Sequence, residues 1–330
     1  MKIVIDRAIP FIKGVFEPYC HVEYIDGNAF TKSIIEDAEA LLVRTRTLCN
    51  QELLEGSSVQ HIATATIGFD HIDVNYCTQN EIEVSTAAGC NARAVLQWVG
   101  AVLTHLSKKE GWQPQDKTLG VVGVGNVGAL IKHYAALWGF KVICCDPPRQ
   151  EREGGEFVSF EDLASKADII TLHVPLDNTT RHLINGQTLK LIAPNCTIIN
   201  SSRGEVIDTE ALLRSGNPFV MDVWESEPHI NCEALERAII ATPHIAGYSL
   251  QGKANASMMA VRNIARALSL PLESWRSETP TIQAEDISWK ELQSTIEKRF
   301  DIEAESDYLK SHRELFEDIR NNYNYREEYF

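Results

Sequence analysis

Gly123-Val-Gly-Asn-Val-Gly128, set between Thr118-Leu-Gly-Val-Val122 and the stretch from Asn126 to Trp138, decides the fold of this chain. Thr118 to Val122 is a short apolar run of the buried-strand kind, and in the stretch that follows Val127, Leu130, Ile131 and Tyr134 recur at helical spacing. The glycines therefore stand at a strand-to-helix junction. Gly123 permits a tight turn, Gly125 lets a diphosphate approach the backbone, and Gly128 allows the helix to pack closely. Free amides at the helix start, from Asn126 and Val127 onward, face the phosphates. The next strand pattern, Lys141 to Cys145, ends at Asp146, where a carboxylate is expected to meet the adenosine ribose. Such an acid accepts from both ribose hydroxyls and repels a 2'-phosphate, which predicts NAD in preference to NADP. Arg149 is the nearby cation able to turn toward a phosphate, but Pro147 and Pro148 stiffen its path.

Working outward, strand-like runs recur at Leu119 to Val122, Val142 to Cys145, Ile169 to His173, Thr197 to Asn200, Phe219 to Val223 and Ile239 to Thr242. Six such strands with helices between them predict an α/β, doubly wound parallel sheet over residues 92–247, with ligands beyond the carboxyl ends of the strands. Residues 1–91 alternate strand-like runs (Lys2 to Ile5, Leu41 to Val43, Ile62 to Ala65, Ile82 to Ser85) with short helical stretches, a smaller α/β unit. Ala92 to Ser107, with Val95, Val99, Val102 and Leu106 on one face, carries the chain into the second domain. A helix over Gly252 to Leu268 brings it back, so that 248–270 joins the first domain and the two crossings form a hinge. Residues 271–330 form a C-terminal tail. Pro271 and Pro280 bracket a linker, and residues 273–330 hold fifteen acidic and eight basic side chains. Trp289, Leu292, Ile296 and Phe300 nevertheless share one helical face, as do Leu315, Ile319 and Tyr323, which predicts short amphipathic helices packed on the body or on a second subunit.

The candidate chemistry follows the later strands. Asn200-Ser-Ser-Arg-Gly204 puts Arg203 at a strand end, and a planar guanidinium binds a carboxylate in bidentate fashion without ever deprotonating. Oxidising an alcohol requires a base for the hydroxyl proton as hydride leaves carbon. Histidine titrates near working pH, and His244 in Thr242-Pro-His-Ile-Ala-Gly247 is the candidate. Glu227, in Asp222-Val-Trp-Glu-Ser-Glu-Pro228, is the carboxylate expected to orient it. The other nine histidines, His71 and His173 among them, show no such partners in the sequence.

Composition bounds the partners. With 46 acidic and 31 basic side chains the formal charge is −15, which argues against nucleic acid or an anionic membrane and requires local cations for an anionic substrate. The eight cysteines form no CxxC pair and read as reduced thiols, with no metal site. The N-terminal run Met1-Lys-Ile-Val-Ile-Asp6 is a strand pattern, and no apolar run reaches about eighteen residues, so the expected location is the cytoplasm.

The motifs at Gly123 to Gly128, Asp146, Asn200 to Gly204, Asp222 to Pro228 and Pro243 to Gly247 recur in an order that resembles the D-isomer-specific 2-hydroxyacid dehydrogenases over residues 1–268. The resemblance implies a Rossmann domain inserted in a smaller flavodoxin-like substrate domain, with Arg203, Glu227 and His244 as active-site residues and His244 transferring the proton. Asp146, Val174, Ser201, Ser202, Arg203, Asp222 and Gly247 would contact NAD, and Thr45, Thr66 and Tyr248 would contact substrate. Val174 stands where the family often has a hydroxyl, so its contact would be through backbone or packing. Further matches at Leu42 to Thr45, Thr64 to His71, Ala88 to Ala92, Cys145 to Arg149 and Pro243 to Tyr248 imply the branch that oxidises 4-phospho-D-erythronate to 3-hydroxy-2-oxo-4-phosphooxybutanoate in pyridoxal 5'-phosphate biosynthesis. They also imply a homodimer, with the tail as its dimerisation region. Arg44, Arg46 and Lys253 are the cations available for the substrate phosphate. Regular strand alternation would send Arg44 and Arg46 to one side and Thr45 to the other. Two other readings stay open: a related dehydrogenase acting on 3-phosphoglycerate, and an NAD-sensing protein read by a binding partner.

Overall fold

The computed structural model describes residues 1–279 and 285–330; Pro280, the second proline of the expected linker, lies outside the described residues. The chain divides into two compact units, Met1–Asn91 with Leu250–Thr281, and Ala92–Ser249 with Ile282–Phe330.

In the first unit, strands β1 (Lys2–Asp6), β2 (His21–Ile25), β3 (Ala40–Val43), β4 (His61–Thr64) and β5 (Glu83–Thr86) form a parallel sheet in the order β2-β1-β3-β4-β5. This is the flavodoxin-like order. Alternation along each strand feeds two cores. Ile3, Ile5, Leu42 and Ala63 pack with Val261 and Ile264 of the Leu250–Ala267 helix, while Val4, Leu41, Val43 and Ile62 pack with Ile35, Leu53 and Leu54. All four residues of β3 are buried, which is why it reads as an unbroken apolar run.

The second unit is built on β6 (Thr118–Val122), β7 (Lys141–Cys145), β8 (Ile169–Leu172), β9 (Thr197–Asn200) and β10 (Phe219–Met221), all parallel, in the order β10-β9-β8-β6-β7. The chain leaves β6 toward β7 and returns to β8 on the other side of β6. That reversal opens a crevice beyond the carboxyl ends of β6 and β8, the position where doubly wound sheets bind ligands. One face is covered by Leu96, Val99 and Leu103 of the Ala92–Glu110 helix, with Ile131 and Trp138. The other is covered by Leu163, Leu189 and Leu212.

The sheet has five strands, not the expected six. Ile239 to Thr242 makes an isolated bridge between Ala241 and Met221, and Pro243 ends the run. The outward amide of Ala241 is satisfied by Ser306 Oγ at 3.0 Å, so the tail covers the sheet edge.

The tail is helical and part of this unit. Ser288 caps Trp289–Arg299 by accepting from the Glu291 amide, and Asp301 caps Ile302–Ser311 by accepting from that of Ala304. Trp289, Leu292 and Ile296 are buried against the Ala92–Glu110 helix, as their spacing predicts. The second expected stripe is corrected. A 3-10 turn at Arg313–Leu315 precedes a helix at Phe316–Asn321, whose buried residue is Phe316, and Tyr323 lies past the helix end. Among the described residues, no helix is long and apolar enough to cross a membrane.

Candidate active site

The glycine turn is fixed by sterics. Gly123 sits at φ 82°, and a Cβ there would lie 2.7 Å from the His173 carbonyl oxygen and 2.8 Å from Val174 Cγ1. A Cβ on Gly128 would overlap the Gly123 carbonyl oxygen. Gly125 is different: among the described residues a Cβ there would meet nothing within 4 Å, so no described atom explains the glycine. Gly125 also offers no side chain to cap the Asn126–Trp138 helix, leaving the first-turn amides of Asn126, Val127 and Gly128 for an incoming anion. Open space plus uncapped amides is what a dinucleotide diphosphate needs.

Asp146 follows β7 and shapes the same turn. Its Oδ2 accepts from the Val124 amide at 2.7 Å and its Oδ1 from the Arg149 amide at 3.0 Å, which caps the Pro147–Glu153 helix. A carboxylate has about four acceptor sites, so two remain for ribose hydroxyls. Arg149 is held away from any phosphate role by Glu153, at 2.6 Å, and by the Val124 carbonyl. Beyond β8 lies Val174, half-buried beside Gly123.

Beyond β9 the side chain of Asn200 organises the next loop. Its Oδ1 accepts from the Ser202 amide (3.0 Å) and hydroxyl (2.8 Å), and its Nδ2 donates to the Arg203 carbonyl (2.8 Å). Among the described residues Ser201 Oγ is buried without a partner, an orphan that a bound ligand would satisfy. Arg203 is half-buried, with Nη1 donating to the Ser202 carbonyl at 2.8 Å. Gly204 then abuts the Trp224 and Glu225 backbone so closely that a Cβ would overlap it, which ties the Arg203 loop to the segment bearing Glu227.

Asp222, fully buried beyond β10, is the hub of that segment. Its Oδ1 accepts from Thr242 Oγ1 (2.6 Å) and the Ile245 amide (2.8 Å), and its Oδ2 from the Ala246 amide (2.9 Å). Burial pushes its carboxyl above the usual range, against the opposing pull of His244 and these donors. The cluster fixes the loop before Gly247 and holds His244 at φ 59°, with the His244 amide on the Asp222 carbonyl at 2.7 Å. In that setting His244 Nδ1 meets Glu227 Oε2 at 2.8 Å, and Glu227 Oε1 accepts from the Trp224 amide at 2.9 Å. Burial works to raise the Glu227 carboxyl, but the charge and hydrogen bond of His244, with Arg320 and the Trp224 amide, hold it below the usual range. An ionised carboxylate can only accept, so Nδ1 carries the proton and Nε2 is left to exchange one.

The structure therefore joins the predicted His244 and Glu227 directly, and links them to Arg203 through Gly204 and to Tyr248 through Arg320. Arg320 was not anticipated: Nη1 lies 3.5 Å from Glu227 Oε2, and Nε donates to Tyr248 Oη at 3.3 Å. The amphipathic spacing of the tail signalled a packed helix, but nothing nearby in sequence pointed to the site. A second correction concerns the other histidines, since His182 Nε2 lies 2.8 Å from Glu225 Oε1 and His61 Nδ1 lies 3.2 Å from Glu83 Oε2. Glu225 shares the segment of Glu227 but gives its other oxygen to the Thr209 amide at 2.8 Å, and Glu83 lies on a strand of the first unit.

Within the first unit, Thr66 Oγ1 is 2.5 Å from Thr64 Oγ1 and donates to the Gly68 carbonyl at 2.9 Å, while Thr64 Oγ1 lies 3.2 Å from His71 Nε2. Thr45 is exposed. It lies in a turn, closed by the Thr47 amide on the Arg44 carbonyl at 3.1 Å, because β3 ends at Val43. The expected strand alternation of Arg44, Thr45 and Arg46 does not apply, and Arg44 Nη1 donates to the Ala8 carbonyl at 3.1 Å. Among the described residues no group of three or more His, Cys, Asp or Glu is placed to hold a metal ion.

Residues 91–246 match the model of the NAD binding domain of the D-isomer specific 2-hydroxyacid dehydrogenases. The chain is 44% identical to the erythronate-4-phosphate dehydrogenase of Bacteroides thetaiotaomicron, across 99% of this chain and 97% of that protein. It is 40% identical to the enzyme of that name from Ectopseudomonas mendocina, across 88% and 81%. A solved NAD+-bound 3-phosphoglycerate dehydrogenase from Entamoeba histolytica superposes with a TM-score of 0.70 at 27% identity, covering 85% of this chain and 99% of that one. The chain is therefore a member of the erythronate-4-phosphate dehydrogenases, a branch of the D-isomer-specific 2-hydroxyacid dehydrogenase family.

Proposed function

We propose that this chain oxidises 4-phospho-D-erythronate to 3-hydroxy-2-oxo-4-phosphooxybutanoate with NAD, as a cytoplasmic homodimer serving pyridoxal 5'-phosphate biosynthesis. The observation that carries the reading is the 2.8 Å contact of His244 Nδ1 with the ionised Glu227. Its relatives' names supply the substrate. Arg203 clamps the substrate carboxylate through its guanidinium fork. His244 Nε2 takes the C2 hydroxyl proton, and Glu227 orients the ring and stabilises the imidazolium that forms. Bound NAD supplies the hydride acceptor. Amides of Asn126 and Val127, the turn glycines, Asp146, Ser201, Ser202 and the Gly247 loop set by Asp222 hold that cofactor, with Val174 packing beside it. Thr45, Thr66 and Tyr248 hold the substrate, and at least one of Arg44, Arg46 or Lys253 meets its phosphate. A protein of net charge −15 needs such a cation to accept a doubly charged group.

The test is NADH formation by the purified protein on 4-phosphoerythronate, erythronate and 3-phosphoglycerate. Clear preference for 4-phosphoerythronate is expected, and His244→Ala should lose about a hundredfold to ten-thousandfold in turnover while still binding NADH. Equal use of erythronate and its phosphate, or a His244→Ala variant near full activity, would overturn the reading.

A further inference from the structure

We propose that the C-terminal segment completes the active site in the same chain, with Arg320 as a positioning residue that ties Glu227 to Tyr248. The inference rests on the reading of His244 and Glu227 as the proton-transferring couple. None of the motifs that define the family's chemistry lies beyond Tyr248, yet residues 316–330 hold the loop from His244 to Ser249 at several points. Asp222 takes the amides of Ile245 and Ala246. Arg326, buried, takes the carbonyls: it donates to Ile245 at 2.9 Å and to Ala246, and also to Ala94 at 2.9 Å, with its guanidinium 4.5 Å from the Phe300 ring centroid. Ser249 Oγ donates to Glu328 at 2.6 Å, and Tyr323 and Tyr325 flank the Tyr248 ring, each with centroids 6.2 Å away. A loop held on both its donors and its acceptors has little freedom, which suits one that carries His244 in a left-handed conformation.

Arg320 adds a charge to this grip. Its Nη1 lies 3.5 Å from the same Glu227 oxygen that His244 Nδ1 approaches to 2.8 Å, and its Nε holds Tyr248 Oη at 3.3 Å. Phe316, buried in the core below, anchors the short helix that presents it. Among the described residues, Glu227 and Asp222 from the preceding loops interact with the imidazole, Arg320 reaches Glu227 from the tail, and Tyr248 and Tyr323 adjoin these charges, Tyr248 at Arg320 and Tyr323 toward Asp222. Arg320 thus shares the carboxylate oxygen on which His244 Nδ1 rests, and without its guanidinium that oxygen would be left to the imidazole. The same fork fixes Tyr248, a proposed substrate contact, relative to the base.

The experiment compares the full chain with Arg320→Gln and Arg320→Lys in three readouts. These are the pH profile of kcat/KM for 4-phosphoerythronate oxidation, the NMR titration of His244 without substrate, and NADH affinity by fluorescence. Arg320→Gln should raise both the acid limb and the His244 titration by about half to one pH unit and cut kcat/KM at pH 7 roughly tenfold, with NADH affinity within about twofold. Arg320→Lys keeps the charge without the fork, so its acid limb should stay near that of the parent while KM rises several-fold. An unmoved limb and titration in Arg320→Gln overturn the electrostatic role. If that variant does not fold, Arg320→Lys decides, and parental KM there overturns the bridging role. A parent protein inactive on 4-phosphoerythronate would sink the proposed function, while the His244 titration would still judge Arg320.

Discussion

Glu227 has two jobs that a single oxygen pair must share: Oε1 closes the turn through the Trp224 amide, and Oε2 serves His244. Its carboxyl lies below its ordinary value of 4.5 in the folded protein. A lowered folded pKa means stabilisation that is present above about pH 4.5 and is lost as pH falls through the lower folded value. Glu227→Gln should therefore be less stable than the parent at pH 7, yet lose less melting temperature on acidification from about pH 5 to 3. Parallel melting curves of the two proteins over that range would refute the linkage. At this scale, Gly123, Gly128, Asp146, Arg203, Glu227 and His244 were readable because each is tied to a strand end or a local motif. The pairing of His182 with Glu225 and the approach of Arg320 to Glu227 were not, since both depend on where separate loops and helices come to lie.

At the scale of elements, the tail helix Trp289–Arg299 shows how a short amphipathic segment gains stability from packing more than from propensity. Leu292 is fully buried and sits 3.4 Å from where a Cβ on Gly100 would stand, so the two helices approach closely. Leu292→Ala should cost about 2–5 kcal/mol, read by chemical denaturation; a cost under about 1 kcal/mol would show that the helix is only loosely attached. The spacing of Trp289, Leu292 and Ile296 made this helix legible, as the Asn126–Trp138 helix was from its own periodicity. Two elements misread for physical reasons mark the limit. Ile239 to Thr242 has strand composition, but Pro243 cuts it to a single bridge. Leu315, Ile319 and Tyr323 have helical spacing, but the helix begins at Phe316, so that residue takes the buried place and Leu315 stays exposed. Composition and period are local, and the register of a two-turn helix is settled by its neighbours.

Across the molecule, the second unit is stitched from sequence-distant pieces. Gln97 Nε2 donates to the Phe330 carbonyl at 3.2 Å across a separation of 233 residues, and Arg326 holds Ala94 and Ile245 at once. Order along the chain conveys none of this, which is why the tail read as an appendage. A chain ended at His312 would keep Gly123 through Tyr248 and still should lose at least about a hundredfold in turnover, because the loop bearing His244 would lose Arg326 and the couple would lose Arg320. Near-parental NADH formation by that shortened chain would show the grip to be dispensable. The grip of Arg326 and Arg320 on the His244 loop also sets a clock during synthesis. A ribosome that has made Gly123 through Tyr248 has made every motif of the proposed site without the side chains that hold the His244 loop. Only when the 320s emerge is the His244 loop seized, so its geometry is completed by a stretch of chain made after every motif it serves.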